Sequence, residues 1–342
     1  MATPPRVVSL HPAGTDILAS LGLQRLLVGR SHECDAQGIL HVSVCTESKL
    51  GDSTELSSVE VDAAAAATTA GLWEATCVAG AQTRERASLE WGLSVYRTRL
   101  ETLCSLRPDV VLTQVQCSSG ALSIDDALHA LNKLLGFAPK LVQLEAENMG
   151  DVWTDMQKVA DACGAPSTGR MVVDNCRRRL DAVASRVASL PRPRVAVIQW
   201  PAPIYAAGAW MPGLIDNAGG IDALRVPPGG ASLLVTPQEL CAAAPEVIIV
   251  ALCGMTMAQA KGAAPELVDV LGAEAWSRLP AVRAHRVYAV DAVRLFSRAC
   301  GALLADSAEV LASILHGWSP ERLPSGQWCS VRQDSGTLVG AR

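Results

Sequence analysis

No stretch of this 342-residue chain approaches roughly 18 uninterrupted apolar residues, so nothing in it reads as a membrane span. There is no run of Lys or Arg, and the formal net charge is −5, which leaves no basic footprint for nucleic acid. The phosphate-cradling pattern G-x-x-x-x-G-K-[ST] is missing, and Gly219-Gly220 does not directly follow a predicted strand. No G-x-S-x-G elbow presents a nucleophilic serine, and neither C-x-x-C nor H-E-x-x-H offers a metal site of known spacing. The opening Met-Ala-Thr-Pro-Pro-Arg has neither the charged nor the apolar region of an export signal, so a chain starting at Met1 is expected in the cytosol. Eleven cysteines, odd in number and irregularly spaced, predict free thiols in a reducing compartment. Phenylalanine is scarce, with two against eight tryptophans.

The chain is 49% hydrophobic and 18% charged, a globular composition, and long enough for two cores. Its longest periodic stretch runs from Ser167 to Leu190. Val172, Val173, Cys176, Leu180, Val183, Val187 and Leu190 fall at steps of three and four, one face of a helix. Asp174 and Arg178 lie on the other side at the i,i+4 spacing. Ser167 or Thr168 caps the start, and Pro191 and Pro193 stop it. At roughly 1.5 Å per residue the helix spans about 35 Å. It reads either as a strut between two α/β lobes with a cleft between them, or as a crossover helix inside one large domain.

Strands alternate with helices on both sides. Strands are predicted at Val7–Leu10, Leu26–Arg30, Val110–Thr113, Lys140–Leu144, Arg194–Trp200, Val247–Leu252 and Arg286–Val290. Helices are predicted over Thr15–Leu21, Ser57–Thr69, Tyr96–Leu106, Ile124–Leu135, Asp151–Ala162 and Ser307–Leu315, with another over Thr256–Leu279 interrupted at Pro265. Thr236-Pro237-Gln238-Glu239 carries a capping box and an N1 proline. An internal echo stands out: Leu103-Cys104 before Pro108-Asp109-Val110, and Leu240-Cys241 before Pro245-Glu246-Val247, at equal offsets. The expected organisation is an α/β lobe over 1–150, connecting helices over 151–192, a second lobe over 193–323 and a flexible tail over 324–342.

In open α/β sheets ligands bind outside the carboxyl ends of the strands. Those ends carry His11, His32, Glu33, Cys34, Asp35, Gln114, Gln116, Cys117, Trp200 and Cys253. The loop His32-Glu33-Cys34-Asp35 mixes soft and hard donors suited to zinc; the alternative is a turn stabilised by its own Asp and Glu. Cys117 or Cys253 would need a basic neighbour to become a thiolate. Trp200 and Trp210 flank a Pro/Gly-rich loop, where a flat ring serves ligand contact or rim packing.

Several segments resemble the cobalamin-binding branch of the Fe/B12 periplasmic-binding-protein family, the substrate receptors of ABC importers. They are RVVSLHPAGTDILASLGL (6–23), LVGRSHECD (27–35), SVYRTRLETLCSLRPDVVLTQVQC (94–117), AGAWMPGLIDNAGG (207–220), PEVIIVALCG (245–254) and LPAVRAHRVYAVD (279–291). The resemblance implies a class III periplasmic-binding-protein fold, with two Rossmann-like α/β lobes joined by a single long backbone helix. It implies a corrinoid such as cobalamin, or a related tetrapyrrole-like metal chelate, held between the lobes. Tyr96, Trp210, the 32–35 loop, Gln116, Cys117 and Cys253 would then face the ligand, with Arg298 at a family position.

Family receptors dock on the permease through one surface glutamate per lobe. Glu101 fits the first position, seven residues before Pro108; the second falls on Gln238, with Glu239 beside it. Together with the missing export signal, that puts permease docking in doubt. Two further departures are Ser118-Ser119-Gly120, where a second cysteine is usual, and Ala299-Cys300-Gly301 in place of a proline-rich turn. The expected function is a non-enzymatic receptor for a small metal chelate, with His32, Cys117 or Cys253 available to ligate its metal. The rivals are a metal–tetrapyrrole chelatase, a receptor for free zinc or manganese, and a scaffold with an empty cleft.

Overall fold

The computed structural model describes residues 3–49, 58–60, 63, 89–90, 93–114, 124–318, 328–334 and 337–340. The chain divides into two units. The first comprises Met1–Glu145 and Asp151–Asp174, the second Ala146–Gly150 and Asn175–Arg342. One helix, Pro166–Val187, begins in the first unit and ends in the second. It buries Val173, Cys176, Leu180, Val183 and Val187, the face its periodicity marks. Pro166 opens it, not Ser167 or Thr168, because proline's fixed φ suits a first turn. The helix stops short of Leu190, which is exposed. Arg178 hydrogen-bonds Asn175 Oδ1 at 3.5 Å.

Among the described residues the first unit holds a five-stranded parallel sheet in the order β3-β2-β1-β6-β7. Its strands are β1 (Val7–Ser9), β2 (Leu27–Arg30), β3 (Ser43–Val44), β6 (Val110–Thr113) and β7 (Lys140–Gln143). β1 and β6 are wholly buried, as parallel strands covered on both faces should be. Val8, Leu10 and Val111 pack there against Leu100, Leu103 and Leu131. The first helix is Pro12–Ser20, capped by His11, whose Nδ1 accepts from Ala13 N at 3.2 Å; the expected start at Thr15 falls inside it. Tyr96 is not helical. A short antiparallel pair, β4 (Thr46–Glu47) and β5 (Arg97–Thr98), takes the chain first, and the helix is Leu100–Leu106. Arg97 and Arg99 meet Glu47 at 3.0 and 3.2 Å, cross-strand ion pairs that the helix pattern conceals. Of the Ala-rich helix expected over Ser57–Thr69, residues 58–60 and 63 are described, and they are helical.

The second unit holds an eight-stranded sheet in the order β11-β9-β8-β12-β13-β14-β15, with β10 also on β8. β8 (Arg194–Pro201), β12 (Val247–Val250) and β13 (Val287–Val290) form its parallel centre. β9 (Ile204–Ala206) turns back on β8 across a cis Ala202–Pro203 bond, and β10 (Ile221–Asp222) and β11 (Leu233–Leu234) lie at its margin. Ile198, Leu240, Ile248, Val250, Leu267 and Trp276 centre the core. The capping box at Thr236 and Glu239 forms as the sequence specifies. Pro265 lies within the helix Met257–Leu271; the break falls at Gly272, whose φ of 81° suits glycine. The segment expected as a loose tail instead extends the sheet. β14 (Trp328–Asp334) pairs antiparallel with β13, placing Tyr288 edge-to-face against Trp328 at 5.5 Å, and β15 (Thr337–Gly340) pairs with β14. Pairing of this kind covers the otherwise open edge of β13.

The echo in the sequence is a structural repeat. Leu100–Leu106 and Pro237–Ala243 are seven-residue helices. Each ends on a left-handed residue, Arg107 (φ 44°, ψ 62°) and Ala244 (φ 43°, ψ 58°), with a proline next. Proline cannot continue a helix, so the chain leaves through this cap. The following acid then clamps the first strand of its sheet. Asp109 Oδ2 accepts from Arg6 N at 2.7 Å, and Glu246 Oε2 accepts from Arg194 N at 2.8 Å. The return bonds, Asp109 N to Arg6 O and Glu246 N to Arg194 O, are both 2.8 Å.

Candidate functional site

In the first unit the segment 93–96 crosses the carboxyl edge of the sheet and is fixed at every step. Thr113 Oγ1 donates to Leu93 O. Ser94 Oγ donates to Leu10 O at 3.1 Å, and Val95 N donates to Gln114 O at 3.3 Å. Lys49 Nζ donates to Ser94 O at 2.9 Å, and burial brings its pKa down to about 8. This framework sets Tyr96 between two histidines. His11 stacks on its ring at 5.8 Å and 17°, and His32 meets it edge-on at 4.7 Å and 78°. The three flat side chains come from three sequence regions and form an amphipathic wall.

His32 is held from both sides. Its backbone N lies 3.0 Å and its Nδ1 2.8 Å from Thr46 Oγ1. Burial lowers its pKa, with Arg99 and Arg30 adding to the effect and Glu33 and Glu47 opposing it, so the ring is neutral at pH 7. Nε2 is buried without a hydrogen-bond partner, and Glu33 Oε1 stands 3.6 Å away.

The rest of the 32–35 loop does not converge as a metal site. The backbone turns there, Cys34 N donating to Ser31 O at 3.2 Å; Cys34 is buried, 2.9 Å from Thr15 Oγ1, while Glu33 and Asp35 are exposed. Ser31 Oγ accepts from Glu33 N at 3.1 Å in this turn. Among the described residues no group of three His, Cys, Asp or Glu side chains is placed to hold a metal, and zinc has no support there. Gln116 and Cys117 lie outside the described residues. Gln114 is 8% exposed, and its Oε1 is buried with no hydrogen-bond partner. Thr46, Lys49 and Ser94 carry no signal in the sequence. They stand in poorly patterned stretches, and only the fold brings them to this edge.

In the second unit Trp200 is half-buried within β8, opposite Tyr205. Trp210 is buried, and its Nε1 donates to Phe296 O at 2.7 Å. Phe296 has a φ of 67°, an uncommon conformation for an aromatic residue, and Ser307 Oγ also holds its backbone N at 3.0 Å. Cys253 is exposed past the end of β12. Arg298 is buried.

Glu101 and Gln238 are both exposed, and each is the second residue of its helix in the repeat. Glu239 closes the capping box. Its carboxylate accepts from Thr236 N at 2.8 Å and Oγ1 at 2.7 Å, which holds its pKa below the usual range.

An open cavity of about 420 Å³ in this unit is lined by Pro191, Arg192, Arg286, Leu315 and His316, among others. Arg192, Arg286 and His316 there bind the carbonyls of Gly220, Leu315 and Ala218, the last two at helix ends.

A search of curated protein sequences finds no match. Solved structures share the architecture at low identity. An ABC transporter substrate-binding protein from Listeria monocytogenes matches with a TM-score of 0.62 and 17% identity, over 92% of this chain and 100% of its own. The periplasmic vitamin B12 binding protein of Vibrio cholerae gives 0.57 and 16%, over 91% and 97%. A periplasmic heme binding protein from Pseudomonas aeruginosa gives 0.63 and 17%, over 95% and 97%. The fold is that of the class III periplasmic binding proteins. A model of the periplasmic binding protein family matches residues 62–293, more than half of the sequence, and the chain belongs to that family.

Proposed function

We propose that this protein is a receptor for a metal chelate of the tetrapyrrole class, with a corrinoid as its cargo. The observation that carries the reading is the His11–Tyr96–His32 wall on the carboxyl edge of the first sheet. Flat aromatic surface with a few polar atoms suits a broad, rigid, partly apolar ring. Similar structures bind vitamin B12 or heme, which supports the class, and the sequence segments favour the corrinoid within it. Among the described residues no group of three His, Cys, Asp or Glu side chains is placed to hold a free ion.

Docking on a permease belongs to this reading. One similar structure is an ABC transporter substrate-binding protein, and the doubt raised by Gln238 finds no support. The exposed helix ends carrying Glu101 and Gln238 are the surfaces to test.

The experiment is a titration with cobalamin, cobinamide and haem, following tryptophan fluorescence and the visible spectrum of the chelate. Saturable quenching at one equivalent supports the receptor. No response to any chelate, with a stoichiometric metal found by elemental analysis, would overturn it.

A further inference from the structure

We infer that the first unit reads carboxamide groups on the edge of the chelate, His32 donating from Nε2 and Gln114 accepting at Oε1, with neither residue bound to the metal. This rests on the receptor reading of the same site.

The argument begins at Thr46, whose side chain is fully buried. Its hydroxyl faces two nitrogens of His32, the backbone N at 3.0 Å and Nδ1 at 2.8 Å. The backbone N–H can only donate, so Thr46 Oγ1 accepts there. The hydroxyl proton then needs an acceptor of its own, because a buried donor is rarely left unpaired. A bare Nδ1 provides it. The other tautomer would point two donors at one oxygen and strand the hydroxyl proton. Nδ1 is therefore the acceptor, and the ring proton sits on Nε2. A protonated ring nitrogen has no lone pair to give a metal.

Nε2–H is itself buried and without a hydrogen-bond partner. Glu33 Oε1, at 3.6 Å, is beyond hydrogen-bond range, and its side chain is 49% exposed. The edge-on contact with Tyr96 fixes the plane of the imidazole and hence the direction of the N–H. Lowered basicity keeps the ring neutral, with a single donor.

Gln114 supplies the complement. It follows β6 on the same carboxyl edge, tied to the Tyr96 segment through Val95. Its Oε1 is a second buried atom with no partner. A carbonyl oxygen tolerates that position better than an NH₂ with two donors. The edge therefore offers one donor and one acceptor. A carboxamide, with C=O and NH₂, can pair with either atom; a carboxylate can pair only with the donor. Corrin peripheries carry carboxamides, and haem carries carboxylates.

Two measurements test this. In the free protein, ¹⁵N NMR of His32 should show Nδ1 unprotonated and Nε2 protonated; a protonated Nδ1 overturns the assignment, and this readout needs no variant. Aquacobinamide and haem are then titrated into the wild type and into His32→Leu, His32→Gln and Gln114→Leu. The two leucine variants should each weaken aquacobinamide about tenfold more than they weaken haem. His32→Gln, whose amide N–H reaches the Nε2 position, should recover most of the loss. The visible bands of bound cobinamide should not move in any variant. Bands that shift on removing His32 would show metal ligation and overturn the proposal, as would equal losses for haem. A wild type that binds neither chelate refutes the receptor reading itself, whatever the tautomer.

Discussion

Arg179 links the Pro166–Val187 helix to the helix Gly301–His316, and replacing it should unmask the cost of the carboxylates it faces. Its guanidinium is 16% exposed and donates to Asp306 Oδ1, to Glu309 Oε1 at 3.0 and 3.2 Å, and to Ala302 O at 3.3 Å. Burial holds both carboxyls above their usual pKa range even with Arg179 pulling them down. Arg179→Met keeps the aliphatic stem and removes the charge.

Breaking a buried ion pair costs about 3–5 kcal/mol, and Asp306, one-third exposed and near Arg294, discounts its share, so about 2–4 kcal/mol is expected at pH 8. The sign with pH follows from linkage. A carboxyl whose folded pKa is raised takes up protons more readily folded than unfolded. The variant's deficit is therefore small below the unfolded carboxylate range and grows as pH rises through the folded values. Urea unfolding followed by tryptophan fluorescence at pH 5 and pH 8 should show the larger deficit at pH 8. Adding Glu309→Leu should recover most of it, since an apolar pair often replaces a buried ion pair without loss. A deficit under about 0.5 kcal/mol at pH 8, or one equal at both pH values, would refute the reasoning.

Three further expectations follow from backbone and buried polar groups. Ala244→Gly should stabilise by about 0.5–1 kcal/mol, because the left-handed cap strains a Cβ and glycine gives back only part of that in unfolded-chain entropy; chemical denaturation reads it. Gly208→Ala should destabilise by about 2–3 kcal/mol, since its Cβ would lie 2.5 Å from the backbone of Gly230 and Ala231, which cannot rotate away as a side chain can; a lowered melting midpoint checks it. Trp210→Phe should cost about 1–3 kcal/mol by leaving the Phe296 carbonyl buried and unbonded, with faster amide exchange around 294–298 as the readout.

The parts of this protein legible in sequence are those set by neighbours along the chain. The face of the long helix, the capping box at Thr236, and the buried strands β1, β6, β8 and β12 follow from periodicity and cap chemistry acting within a few residues. The repeat was legible too, because the same helix–proline–acid–strand series recurs at equal offsets. Proline blocks the helix and the acid clamps the adjacent strand, so the pattern carries its own mechanism.

What only the tertiary structure decided are pairings across long separations. The 32–35 loop offers four ligand-type side chains on paper, and the fold buries Cys34 against Thr15 and leaves Glu33 and Asp35 exposed. The N–H of Trp210 finds its acceptor in the carbonyl of Phe296, distant in sequence. β14 joined the sheet because β13 had an open edge, a condition no local pattern states. The setting of His32 is of the same kind. Thr46 and Tyr96 reach it from segments without periodicity, and the tautomer, the ring plane and the partnerless Nε2 exist only once those segments meet. Local periodicity sets which residues are buried; hydrogen-bond closure between distant segments sets which polar atoms remain for a ligand.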